Sequence, residues 1–65
     1  MENELNVFRA RQDITQKGLA AEMDVSRQTI NAIETGKYDP SLELALKLAE
    51  YFDTSVEEIF MLEVE

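Results

Sequence analysis

Arg27, Gln28 and Asn31 fall within one and a half helical turns of each other, and their side chains share one kind of chemistry. An arginine donates a fork of N–H groups that matches O6 and N7 of guanine. A glutamine or asparagine amide pairs in the same way with N6 and N7 of adenine. Two hydroxyls, Thr15 and Ser26, stand at the heads of the two segments around them. Hydroxyls and the unpaired N–H groups at a helix N-terminus suit phosphate oxygens. Helical spacing puts Arg27, Gln28, Thr29 and Asn31 opposite the apolar Ile30 and Ile33. Spacing alone leaves two readings open: a row that reads DNA base edges, and an ordinary solvated face.

Such a row works only if other elements hold it. Thr15 is a standard N-cap, and Ile14 before it is placed to pack on Leu19 as a hydrophobic staple. Leu19, Ala20 and Met23 make the buried stripe of a helix over about 15–23. Gly18 stands at its third position, where a better helix former would add on the order of 1 kcal/mol. Asp24 occupies the turn, in a place that calls for a left-handed residue and suits glycine best. Ser26 caps the next helix, over about 26–35, and Gly36 ends it. Two short helices across a tight turn, the second carrying the polar row, form a helix-turn-helix. A helix fits the major groove, and its partner braces it from behind.

The remaining segments read as scaffold. Helix 1 runs from about Glu4 to Arg11, with Leu5, Phe8 and Gln12 on one stripe. Asp39 or Ser41 caps a fourth helix, and Pro40 suits its first turn. Leu42, Leu44, Ala45, Leu46, Leu48, Ala49 and Phe52 make that helix apolar almost all round, so it is expected to be the central, buried one. Asp53 is expected in a left-handed C-cap. Ser55-Val56-Glu57-Glu58 has the pattern of a capping box opening a fifth helix, with Val56, Ile59 and Phe60 on its apolar side. Adjacent Phe60, Met61 and Leu62 cannot all face one small core. Leu62-Glu63-Val64-Glu65 alternates like a strand, and Met1 to Leu5 is placed to pair with it as a two-stranded ribbon. Ile59, Phe60, Met61, Leu62 and Val64 therefore read as a dimer contact, with 61–65 as a dimerisation tail rather than a frayed end.

Composition narrows the function classes. The chain has 65 residues, without cysteine or histidine. That length makes one domain, 1–65, near the lower limit for folding without staples. The usual zinc sites are excluded, and no carboxylate pair or glycine-rich phosphate loop is in evidence. No catalytic residue, metal or cofactor is expected. With no long apolar run and no leader, the chain reads as cytoplasmic, with no membrane contact. The formal net charge is −8 and is uneven. Residues 1–40 hold five bases against seven acids, while residues 41–65 hold only Lys47 against seven acids. The acid lies mostly away from the polar row, as a solubilising surface, a partner-binding face or an adaptation to a high-salt cytoplasm.

With these features in place, TQKGLAAEMDVSRQTINAIETGKYDPSLELALKLAEYF resembles the Cro/C1-type helix-turn-helix of phage repressors and xenobiotic-response-element-like regulators. VSRQTINAIETGKYDPSLELALKLA and SVEEIF are most similar to its short stand-alone bacterial and archaeal members, of the cytolysin repressor type. The resemblance covers about Leu5 to Phe60. It implies an all-α, five-helix, lambda-repressor-like DNA-binding domain. It also implies a phosphate contact for Gln16, which would brace Gln28, and base contacts for Arg27, Gln28 and Asn31. Ser26 and Thr29 would touch sugar-phosphate or methyl groups, and Thr35, Lys37 and Tyr38 would grip the backbone beyond the reading helix. Arg9 and Glu34 match a structural salt bridge between helices 1 and 3.

The expected function is a sequence-specific regulator of transcription, a repressor that binds a pseudo-palindromic operator on double-stranded DNA as a homodimer. The alternative is an antitoxin or protein-interaction module whose acidic C-terminal third covers an unidentified protein partner.

Overall fold

In the computed structural model, which describes residues 1–62, five helices are closed by a two-stranded antiparallel ribbon. In chain order the elements are β1 (Glu2–Asn3), α1 (Leu5–Arg11), α2 (Gln16–Met23), α3 (Arg27–Glu34), α4 (Leu42–Tyr51), α5 (Val56–Ile59) and β2 (Phe60–Met61). Both helices of the helix-turn-helix start where the sequence places them. The Thr15 hydroxyl accepts the Gly18 N–H at 2.9 Å, and the Ser26 hydroxyl accepts the Thr29 N–H at 3.1 Å. Each cap satisfies one of the donors that a helix N-terminus leaves unpaired.

The helix ends share one device. Asp13, Asp24 and Asp53 all have a positive φ, between +54° and +59°, and Gly36 has φ +77°. At each, the next residue's N–H reaches back to a carbonyl five positions earlier: Ile14 to Arg9, Val25 to Ala20, Lys37 to Ala32 and Thr54 to Ala49, at 2.9–3.1 Å. This is the Schellman arrangement, which satisfies the orphan carbonyls at the cost of one left-handed residue. Aspartate fills that place three times. It tolerates the conformation better than most side chains but carries a strain that glycine lacks. Asp24 and Asp53 follow the sequence expectation; Asp13 was not anticipated.

Leu5, Leu19, Ile30, Ile33, Leu48 and Ile59 are fully enclosed and form the centre of the core. One residue comes from each of α1, α2 and α5, two from α3 and one from α4, so every helix contributes. Phe8 of α1 lies 5.7 Å from Phe52, the residue after α4, centroid to centroid. Ile14 packs on this core beside the start of α2. A Cβ on Gly18 would lie 3.0 Å from Ile14 Cγ1, so the missing side chain makes room for the staple.

Several expectations are corrected. α4 is not apolar-buried all round: Leu44, Ala45, Leu48 and Ala49 face inward, while Leu42 and Leu46, one turn apart, are 74% and 54% exposed. Ser41, not Asp39, caps α4, accepting the Leu44 N–H at 3.1 Å, so Pro40 lies before the cap rather than in the first turn. The Ser55 side chain makes no capping hydrogen bond, and α5 is a single turn. Gln12, set on the inner stripe of helix 1, is exposed at the end of α1. The ribbon forms two residues earlier than the alternation indicated, pairing Glu2 with Met61 and Asn3 with Phe60. Residues 63–65, including Val64 and most of the expected alternating strand, lie outside the described residues.

Candidate nucleic-acid interface

Four hydrophobic or small residues anchor the back of the helix-turn-helix, and its front is polar. Ile30 and Ile33 of α3 are buried against the core with Leu19 and Ala20 of α2. That fixes the rotation of α3 and leaves Arg27, Gln28 and Asn31 exposed together. Gln16, Arg27, Gln28 and Asn31 line one cleft on this surface. Arg9, Thr15, Gln16, Lys17 and Arg27 line a second, open hollow. The expected base-reading residues are therefore brought together.

The supporting residues divide into two groups. Thr15 and Ser26 are exposed, and as caps their oxygens act as acceptors. The Thr15 hydroxyl hydrogen is not consumed by the cap and is suited to donate to a phosphate. Ser26 and Thr29 share a hydrogen bond between hydroxyls at 2.9 Å, which ties Thr29 back to the cap. Lys37 and Tyr38 are exposed in the loop after Gly36. Thr35 is different: its hydroxyl donates to Asn31 O at 3.0 Å and Ala32 O at 3.3 Å, so its proton serves its own helix end.

Behind the row lies an ion pair. The Arg9 guanidinium donates from Nε to Glu34 Oε2 at 2.7 Å and from Nη2 to Glu34 Oε1 at 3.2 Å. Its third branch donates to the Ile14 carbonyl at 3.0 Å. The side chains are only 20% and 8% exposed, so α1, the α1–α2 turn and α3 are locked through one guanidinium. The hydrogen bond to Glu34 raises the Arg9 pKa above its ordinary value, with burial opposing and the Glu34 charge adding to the rise. The salt bridge expected between these two residues is present.

Gln16 extends the network in an unexpected direction. Its Nε2 donates to Glu34 Oε1 at 3.1 Å and to Asn31 Oδ1 at 3.2 Å. The residue it braces is therefore Asn31 rather than Gln28. The reason is geometric: Asn31 and Glu34 are three apart on α3 and share the face that meets the start of α2.

Asn3 was missed altogether. Its amide nitrogen donates to the Ile33 carbonyl at 2.8 Å, and its Oδ1 accepts the Leu5 N–H at 3.1 Å. One side chain, placed just before the Glu4 N-cap, thus takes up the first N–H of α1 and holds the far end of α3. An asparagine two residues ahead of an apolar-periodic run was the available signal, since its side chain can reach the first N–H of the helix.

The tail residues assigned to a dimer contact also divide. Ile59 and Phe60 belong to the chain's own core, because the chain turns from α5 into β2 there and both side chains face inward. Met61 is half-buried, and Leu62 is 78% exposed. Among the described residues, no helix is long and apolar enough to cross a membrane.

Comparison with known proteins agrees with this geometry. A helix-turn-helix family profile matches residues 7–59. An uncharacterized HTH-type transcriptional regulator of Methanocaldococcus jannaschii is 54% identical over 63 residues, covering 97% of this chain and 96% of its own. YgzD, an uncharacterized HTH-type transcriptional regulator of Bacillus subtilis, is 45% identical over 65 residues, covering 100% of this chain and 98% of its own. One of the same description from Archaeoglobus fulgidus is 43% identical over 65 residues, covering 100% and 92%. A match across most of the chain, together with the two capped helices, the turn at Asp24 and the ion pair behind α3, places this chain in the Cro/C1-type helix-turn-helix family.

Proposed function

We propose that the protein is a sequence-specific double-stranded DNA-binding transcriptional regulator that represses by occupying a pseudo-palindromic operator as a homodimer. The observation that carries this reading is the exposed row of Arg27, Gln28 and Asn31 on a helix whose opposite face is buried. These side chains lie in the first turns of α3, the part of a recognition helix that meets base edges. Thr15, Ser26, Lys37 and Tyr38 flank the row and are set to position the phosphates on either side. The relatives, named as transcriptional regulators from archaea and a bacterium, support the same class and a prokaryotic, cytoplasmic setting.

Dimerisation rests on apolar surface. Leu42 and Leu46 on α4 and Leu62 beyond β2 are exposed, which a 65-residue chain gains by covering with a second copy. Two copies would set their α3 helices about 34 Å apart, in successive major grooves.

Selection of bound sites from random duplexes tests the function. A two-fold symmetric site is expected. Gln28→Ala is expected to weaken that site by about tenfold or more while leaving random duplexes nearly unchanged. Equal loss on both would show that Gln28 does not read bases.

A further inference from the structure

We propose that Gln16 is a positioning residue for base recognition: held by Glu34, it sets the amide of Asn31 so that the asparagine nitrogen is the atom offered to the base edge. This rests on the reading of α3 as the helix that enters the groove.

The network begins at a carboxylate. Glu34 is ion-paired with Arg9 and is almost enclosed, so it accepts hydrogen bonds and has none to donate. The atom of Gln16 that faces Glu34 Oε1 at 3.1 Å must therefore be the amide nitrogen. The same nitrogen lies 3.2 Å from the side chain of Asn31, and a donor must meet an acceptor there. The Asn31 oxygen is thereby turned towards Gln16, and its NH2 group is left for the groove. An asparagine amide is otherwise free to turn over and exchange donor for acceptor. Here its polarity is dictated from α1, through Arg9, Glu34 and Gln16, with one link on each of three helices.

Two consequences separate this role from a phosphate contact. Both hydrogens of Gln16 Nε2 are used inside the protein, one on Glu34 and one on Asn31. What the Gln16 side chain has left is an oxygen, which a phosphate, itself only an acceptor, cannot use. Asn31, for its part, presents a donor. It suits N7 of a purine, O6 of guanine or O4 of thymine, and it opposes N4 of cytosine, where two donors would meet.

Site selection with three proteins tests this. The wild type is expected to exclude cytosine by about tenfold at one position of each half-site. Asn31→Ala identifies that position by abolishing the preference there alone. Gln16→Met keeps the length but removes both hydrogen bonds, freeing the Asn31 amide to turn. Cytosine should then be admitted at that position to within about threefold of the favoured base, with the other positions unchanged. Affinity for random duplexes should also stay as it is. Continued exclusion of cytosine by Gln16→Met overturns the inference. A loss of affinity by Gln16→Met for every sequence alike, random duplexes included, overturns it too, by making the Gln16 side chain a phosphate contact. A wild type that enriches no site, or an Asn31→Ala protein that alters no position, overturns instead the reading of α3 on which the inference stands.

Proton exchange in the free wild-type protein gives a second readout that needs no variant to fold. The Gln16 side-chain amide protons should exchange with water more slowly than those of Asn31. The reverse order would overturn the inference.

Discussion

Replacing Arg9 with methionine leaves the Glu34 carboxylate in place and takes away its counter-charge. The cost can be bracketed from the geometry. Removing one partner of a fully buried ion pair costs about 3–5 kcal/mol, whereas an exposed pair is worth about 0–1 kcal/mol. The Arg9 and Glu34 side chains are 20% and 8% exposed, nearer the buried limit. Gln16 still donates to the carboxylate, and water can reach the arginine side, so about 2–3 kcal/mol is expected. For a 65-residue domain that lowers the melting temperature by roughly 10–20 °C. The double variant Arg9→Met, Glu34→Leu removes the stranded charge and should return to within about 1 kcal/mol of the wild type. With Glu34→Leu alone no more stable than the wild type, the coupling energy is then at least about 1 kcal/mol. The assay is unfolding followed by far-ultraviolet circular dichroism for all four proteins, at one protein concentration because association adds to apparent stability. Because the folded-state pKa of Arg9 is raised, its contribution is fully present below the ordinary arginine value and is lost only as pH rises through the raised one. The penalty should accordingly be flat from neutrality to about pH 11. A penalty under about 1 kcal/mol, or single losses that simply add, would refute the assignment of this pair as the tie between α1 and α3.

Other expectations follow from the turns and the charge. Gly18→Ala should fall well short of the roughly 1 kcal/mol that helix propensity promises, because its Cβ would meet Ile14 Cγ1 at 3.0 Å; a full gain in a denaturant titration would show that Ile14 yields freely. Asp24→Gly should stabilise by about 0.5–1 kcal/mol, since relief at φ +59° and removal of a carboxylate from a helix C-terminus outweigh the extra freedom of the unfolded chain. A loss of more than about 0.5 kcal/mol would point to a contact made by that carboxylate. Binding to the selected operator, measured across salt concentrations, should give a log–log slope shallower than about −8, because few cations besides Arg27, Lys17 and Lys37 flank the row. A slope steeper than that would mean bulk charge dominates.

Much of the site was legible because it is local. Thr15 and Ser26 announce two helix starts, Asp24 and Gly36 two ends, and the spacing of Ile30 and Ile33 determines which side of α3 is free. The interactions that bind distant segments were harder to read. No periodicity connects Asn3 with the Ile33 carbonyl, thirty residues away, or makes Gln16 choose Asn31 over its neighbour Gln28. The Arg9–Glu34 pair came from family resemblance, not from spacing. α4 illustrates the other limit: leucine at nearly every position signals burial, but a helix on the outside of a five-helix domain has only one inner side. Leu42 and Leu46 therefore fall outward although their residue type says otherwise. At the C-terminus, alternation indicated a strand but could not set its register, which depends on where the single turn of α5 runs out.

The three aspartates at helix ends place the folding and the proposed binding of this protein in opposition. Each carboxylate sits where the backbone dipoles already gather negative charge, on a chain whose net charge is −8. Dissolved cations relieve that repulsion and tighten the fold. The same cations occupy the phosphates that Lys17, Arg27 and Lys37 would otherwise neutralise, and so loosen the grip on DNA. Ionic strength would then act on the two in opposite directions, firming the fold of the free protein as it loosens the hold on the duplex.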